Sequence, residues 1–158
     1  MRARVGLAVL ACFGAWCPTA TAQDTKEAAA EKERQQLLET VGLLAASQVY
    51  QGYLNVGLVA DGKAAGTYSE QDARQLVESV VGLLDTSDKN LEKVGKLDIG
   101  KEDRAALFKL RQLNQLVRRQ AIVLQEFWRT GNKDYSDSYE RLRKEAWEGI
   151  SKMLKLKG

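Results

Sequence analysis

The sequence contains no histidine, a single proline and two cysteines. Histidine is the usual general base near neutral pH and a common metal ligand. Its absence excludes Ser-His and Cys-His catalytic pairs, Cys/His zinc sites, c-type haem attachment and di-iron sites built from Glu-x-x-His pairs. The phosphate-binding motifs G-x-x-x-x-G-K-[ST] and G-x-G-x-x-G are also missing. We therefore expect no catalytic residues, no metal and no cofactor, and predict that the protein is not an enzyme.

The first 22 residues have the layout of a secretory signal peptide. Arg2 and Arg4 precede an apolar segment at residues 5–16, and Ala20-Thr21-Ala22 has the small residues of a cleavage site. The apolar segment is shorter than the roughly 20 residues that a transmembrane helix needs. We expect cleavage after Ala22, export to the periplasm of a Gram-negative bacterium and a mature domain of residues 23–158. Extracellular release and a lipid anchor are the alternatives.

Cleavage would remove both cysteines and the proline, so the mature domain would contain no disulfide. It would also remove two of the 24 Lys and Arg residues, which leaves 22 basic residues against 21 acidic ones. The mature net charge is then close to zero, and no dense Lys/Arg cluster is present. We therefore expect no nucleic acid partner.

Apolar residues recur at spacings of three and four along the mature chain, and no segment shows the sustained alternation of a strand. The pattern predicts four helices at about 28–60, 69–94, 101–130 and 136–156. Ser69-Glu70-Gln71-Asp72 has the form of a capping box at the start of the second helix. The inward stripe of the second helix is expected to be Leu76, Val80, Leu83, Ser87, Leu91 and Val94, and that of the third helix Leu107, Leu110, Asn114, Val117, Ala121, Leu124 and Trp128. Short connections favour an all-α, antiparallel, up-down-up-down four-helix bundle.

The predicted layout is similar to exported four-helix bundles such as cytochromes of the c-prime and b562 kinds and bacterial sensor domains. The similarity implies the architecture alone, because the residues that bind haem are absent. Residues 66–70 also resemble residues 133–137, and the same offset places Gln48 on Gln115. This weak repeat indicates either a duplicated helical hairpin or ordinary caps on two similar helices.

Residues 40–60, TVGLLAASQVYQGYLNVGLVA, contain no charged side chain, although 28% of the chain is charged. The amides of Gln48, Gln51 and Asn55 near the middle, and the lack of a following Lys/Arg cluster, argue against a membrane span. A helix without a charged face is usually covered on more than one side. We therefore expect this first helix to be buried by its own domain and by something else.

Two hypotheses explain the additional cover. In the first, which we favour, the protein is a non-catalytic structural or interaction component of the cell envelope. An envelope protein or a second copy then packs on the first helix, with tyrosine anchors and amide hydrogen bonds. In the second, the bundle encloses a pocket for a small acid or an amphiphile, lined by polar groups and aromatic rings. The candidate residues are Ser47, Gln48, Tyr50, Gln51, Gly52, Tyr53, Asn55, Gln115, Arg118, Trp128 and Trp147. The alternative for each of them is a polar or aromatic position that is satisfied inside the bundle itself.

Overall fold

The computed structural model describes residues 22–156. These residues form four helices and no strand: α1 (Ala22–Ala64), α2 (Glu70–Gly95), α3 (Lys101–Thr130) and α4 (Lys133–Leu154). The prediction of an all-helical protein with four helices is confirmed. The predicted signal peptide lies outside the described residues except for Ala22, the first residue of α1.

Hydrogen-bonding side chains explain where α2 and α4 begin. The Asp72 N–H donates to Ser69 Oγ at 3.1 Å, and the Ser69 hydroxyl donates to Asp72 Oδ2 at 2.6 Å. Ser69 is therefore the cap of α2 that the sequence predicts, although the Asp72 carboxylate accepts a hydrogen bond from the Ser69 hydroxyl and not from a backbone N–H. Asn132 caps α4 by accepting from the Asp134 N–H at 2.9 Å, so α4 begins three residues before the predicted position 136.

The first helix ends later than its sequence indicates. The sequence pattern predicts an end near residue 60, but α1 continues to Ala64. The ring of Tyr68 lies against the Gly62 backbone, so that a Cβ there would be 2.5 Å from Tyr68 Cε2. The chain turns at Gly66, whose φ of 74° is in the left-handed region that glycine adopts without strain.

The chain divides into two compact units between residues 34 and 35. In the first unit, the described residues are the initial turns of α1, and those from Thr25 onward are exposed. Arg34 pairs with Glu31 there at 2.8 Å, and the hydrogen bond from Arg34 lowers the pKa of Glu31. This mixed-charge surface is what the sequence of these turns predicts for a solvated helix.

The second unit has an apolar core to which all four helices contribute. In α3, the predicted inward stripe is buried from Leu107 to Leu124. In α2, the expected inward residues Val80, Ser87 and Leu91 are buried, whereas Leu76 and Leu83 are 42% and 61% exposed. The core includes Val49 and Val56 of α1, Ala73, Val77 and Leu84 of α2, Val117 and Ala121 of α3, and Ala146 and Ile150 of α4.

Within the second unit, α3 contacts both α2 and α4. The contacts between α2 and α3 run in opposite residue order, from Arg111 with Asp88 to Gln125 with the carbonyl of Arg74. The α1 residues that belong to the second unit contact α2 through the Gln48 side chain and contact α4 through stacked aromatic rings. Helices α1 and α3 each contact both α2 and α4, and these contacts enclose the core.

The two segments of the weak repeat have different structures. Ser69 caps α2, whereas Ser136 lies inside α4, after the Asn132 cap. Leu43 is exposed, whereas Leu110 at the equivalent position is buried. The two segments are therefore not equivalent helix caps.

Candidate interaction surface

Only one side of the uncharged segment of α1 lies in the core. Val49 and Val56 are fully buried on that side. On the other side Leu43, Leu44 and Leu58 are each 65% exposed. The four helices therefore cover α1 incompletely, and large apolar side chains remain at the surface.

The exposed side of α2 continues this surface. Leu76 and Leu83 are seven residues apart on α2, and Ser79, Thr86 and Asn90 follow the same line at helical spacing. Exposed charges such as Glu78 and Lys89 occupy other positions of α2, whereas Asp72 precedes Leu76 on the same line and limits the uncharged part at the start of the helix. The uncharged exposed side of each helix forms what we call the neutral face. It consists of Leu37, Thr40, Leu43, Leu44, Gln51, Leu54, Asn55 and Leu58 of α1, and Gln75, Leu76, Ser79, Gly82, Leu83, Thr86 and Asn90 of α2.

A hydrogen bond and a small hollow connect the two halves of the neutral face. Gln48 Nε2 of α1 donates to the carbonyl oxygen of Leu83 in α2 at 3.3 Å. A hollow of about 180 Å³ lies between the helices, where Leu44 and Gln48 of α1 line one side and Asn90 and Leu91 of α2 line the other. The exposed residues of the two helices are therefore parts of one surface.

The hydroxyl groups of the neutral face are satisfied within their own helices. Thr40 donates to the carbonyl of Gln36 at 2.8 Å, and Thr86 donates to that of Gly82 at 2.9 Å. Ser79 likewise donates to the helix turn before it, at 2.9 Å. Because these donors already have acceptors, burying them against an apolar surface would cost little. The side-chain amides are the main polar groups left on the face.

The predicted aromatic candidates Tyr50, Tyr53 and Trp147 lie between α1 and α4, and Trp128 of α3 faces α1. Tyr53 stacks on Trp147 with ring centroids 5.8 Å apart, and Tyr50 lies 6.5 Å from the same ring. Trp128 is beneath the ammonium group of Lys63, at 5.5 Å from the ring centroid. The rings of Tyr50, Tyr53 and Trp128 are partly buried against the core of the second unit, and Trp147 is half-buried. They therefore hold helices together and are not exposed anchors on the neutral face.

The polar candidates do not share a pocket. Gln51 and Asn55 are exposed on α1, and Gln48 is bonded to α2. Gln115 and Arg118 line a separate open groove of about 790 Å³. All the lining residues of this groove belong to α2, α3 and α4, and Arg118 forms an ion pair with Asp85. The pocket predicted from the amides of α1 together with Gln115 and Arg118 is therefore not formed.

A second ion pair joins α2 to α3 beside this groove. The Arg111 guanidinium makes two hydrogen bonds to the Asp88 carboxylate, each 3.0 Å long. The hydrogen bonds from Arg111 lower the pKa of Asp88 below its usual value and, reciprocally, raise the pKa of Arg111. Bidentate geometry with both side chains partly buried makes this pair a structural contact between helices.

Gly52 and Ser47 are packing residues. Gly52 is buried, and a Cβ on it would lie 3.1 Å from Leu84 Cδ2, so its absence of a side chain permits close packing of α1 on α2. Ser47 is half-buried between the core and the surface of α1. Sequence reasoning missed the exposed leucines, although Leu37, Leu44 and Leu58 share one line at seven-residue multiples. That spacing is a signal for helix pairing.

Among residues 22–156, no group of three or more His, Cys, Asp or Glu side chains is placed to hold a metal ion. None of the helices in this described part of the chain combines the length with the apolar character that a membrane crossing requires. No protein-family model, curated protein or solved structure matches the chain. The neutral face is therefore the feature on which a functional proposal rests.

Proposed function

We propose that the protein is an exported, non-catalytic component of the bacterial cell envelope that binds another protein through the neutral face. The scaffold for this face is an antiparallel, up-down-up-down helical bundle. The observation that carries the proposal is the cluster of exposed leucines on a surface without charge, in a chain of which 28% is charged. Contiguous apolar surface of this kind marks interaction sites in proteins that are otherwise well solvated.

The energetics of the neutral face agree with this role. Its seven leucines are between 40% and 67% exposed. Burying the remaining surface of each would contribute on the order of 1 kcal/mol, since a fully buried leucine contributes about 1.5–3 kcal/mol. Neither a charged side chain nor an unpaired hydroxyl would need to be desolvated at the centre of the contact. The face therefore has the composition of an interface core.

Support for the envelope comes from the N-terminal sequence. Arg2, Arg4, the apolar residues 5–16 and the Ala20-Thr21-Ala22 site follow the order of an export signal. A protein exported in this way meets envelope components as its first partners. The absence of histidine from the sequence is consistent with a role in binding and not in acid–base chemistry.

Photo-crosslinking in cells tests the proposal. A photoreactive amino acid replaces the exposed Gln51 on the neutral face, or the exposed Gln112 on α3 as a matched control. We expect illumination to give one discrete protein adduct from position 51 and none from position 112, with the adduct identified by mass spectrometry. If position 51 gives no adduct, or if both positions give the same mixture, the proposed function is wrong.

A further inference from the structure

The chemistry of the neutral face restricts what can cover it. A partner surface with charged groups would lose their hydration against leucines and gain no opposite charge in return. The partner must therefore present apolar side chains with a few amides that can pair with Gln51 and Asn55. The neutral face itself has this composition, with leucines around a small number of amides and hydroxyls that are already bonded.

The spacing of the exposed residues also suits pairing with a like surface. Leu37, Leu44, Gln51 and Leu58 are each seven residues apart and form one exposed line along α1. Side chains repeated every seven residues meet those of another helix when two helices pack at a shallow angle. A single polar residue in such a line fixes the register of the pair, and Gln51 occupies that position.

The neutral face is large enough for a specific dimer. Residues 37–58 of α1 extend over about 32 Å at 1.5 Å per residue, and two packed helices are about 18 Å wide, which gives a flat area of roughly 600 Å². Side-chain relief increases the accessible area, and a specific interface buries about 800 Å² on each partner. In a two-fold dimer the same face is used twice, so no second complementary surface is required.

We infer that the occupant of the neutral face is a second copy of this chain, in a two-fold dimer whose centre is formed by the exposed leucines of α1 and α2. This inference rests on the proposed function and names its partner. Leu44 and Leu83 are expected to be the central apolar contacts, because they flank the Gln48 hydrogen bond that joins the two halves of the face.

The test is sedimentation equilibrium on protein purified after expression of the full chain, with its N-terminus defined by mass spectrometry. The loading concentration is varied from low micromolar to several hundred micromolar. We expect the mass of two copies. Leu44→Glu and Leu83→Glu should each raise the dimer dissociation constant by about 100-fold or more, because each would bury a carboxylate on both sides of the interface. The control Phe108→Glu, at a 61% exposed apolar position of α3, should leave the dimer intact.

Circular dichroism and thermal melts confirm that each variant is folded, since all three side chains are largely exposed. If the parent protein stays monomeric at every concentration, the inference is wrong. It is also wrong if Phe108→Glu disrupts the dimer and neither Leu44→Glu nor Leu83→Glu does. If the parent is monomeric but position 51 crosslinks to one other protein, the proposed function stands and the second copy is wrong. If a monomer binds vesicles of neutral phospholipid and gives no protein adduct, both proposals fail and lipid covers the face.

Discussion

At the scale of single residues, Asn114 shows how a polar side chain can be part of an apolar core. It is fully buried in α3, and its Nδ2 donates to the carbonyl oxygen of Leu84 in α2 at 2.7 Å. The sequence pattern predicts that Asn114 faces inward, because it lies in the apolar stripe of α3. Its acceptor could not be predicted, since that depends on which residue of α2 comes alongside.

We predict that Asn114→Ala lowers the free energy of unfolding by about 2 kcal/mol, because it removes a buried hydrogen bond and leaves unfilled volume. Gln115→Ala is the control: the adjacent side chain is exposed, and its removal should change stability by less than about 0.5 kcal/mol. Chemical denaturation of both variants measures the difference. Equal effects at the two positions would contradict the role assigned to Asn114.

At the scale of helices, α1 contains glycines that its packing does not require. A Cβ at Gly42 or Gly57 would meet no atom within 4 Å, in contrast to Gly52. Glycine inside a helix is less favourable than alanine by about 0.5–1 kcal/mol. We predict that Gly42→Ala and Gly57→Ala each raise the free energy of unfolding by about that amount.

The matched control for these substitutions is Gly131→Ala. Gly131 ends α3 with a φ of 66°, a conformation that alanine adopts only with strain. We expect a loss of about 1 kcal/mol there, measured by the same denaturation experiment. A uniform gain or a uniform loss at all three glycines would show that local helix geometry does not decide the outcome.

The helix scale also shows how far periodicity predicts burial. In α3 the predicted stripe is the buried one, because charged and polar residues together occupy most other positions. Helix α2 has two apolar stripes, one through Leu76 and Leu83 and one through Val77 and Leu84. Of the residues expected inside, Val80, Ser87 and Leu91 are buried on the same side as Val77 and Leu84, whereas Leu76 and Leu83 lie on the exposed stripe. A helix with two apolar sides does not reveal from its own sequence which one its neighbours will cover.

The candidate site, like the buried side of α2, could be predicted only in part from the sequence. The lack of charge in residues 40–60 indicates additional cover for α1, and the exposed leucines agree with that need. The aromatic candidates Tyr53 and Trp147 stack on each other between helices, which agrees with the alternative of positions satisfied inside the bundle and not with exposed anchors or pocket walls. Because α1 is apolar nearly all round, its sequence alone could not tell the core side from the surface side.

At the scale of the whole molecule, ion pairs between α2 and α3 make stability depend on pH. Arg111 holds the pKa of Asp88 below its usual value of 3.8. A lowered pKa in the folded state contributes stability above the unfolded value, and this contribution is lost as pH falls through the folded value. The pair is therefore expected to stabilise the protein near neutrality and to lose its effect in acid.

We predict that Asp88→Asn lowers the free energy of unfolding by about 1 kcal/mol at pH 7, a modest value because both partners keep some contact with water. The difference between variant and parent should shrink as pH falls below about 4. Asp137→Asn, at an exposed position of α4, should show little effect at either pH. Denaturation curves at several pH values measure this, and a difference that persists in strong acid would be inconsistent with the ion pair as its cause.

The middle of α2 is held from two sides by side-chain amides. Gln48 donates to the carbonyl of Leu83, and Asn114 donates to the carbonyl of the next residue, Leu84. Sliding α2 by one residue or rotating it would break both bonds at once. The backbone N–H groups four residues further along bond to the same carbonyls in a regular helix. Their protons should therefore be among the slowest in the protein to exchange with deuterium, since they can be released only when the core of the second unit opens as a whole.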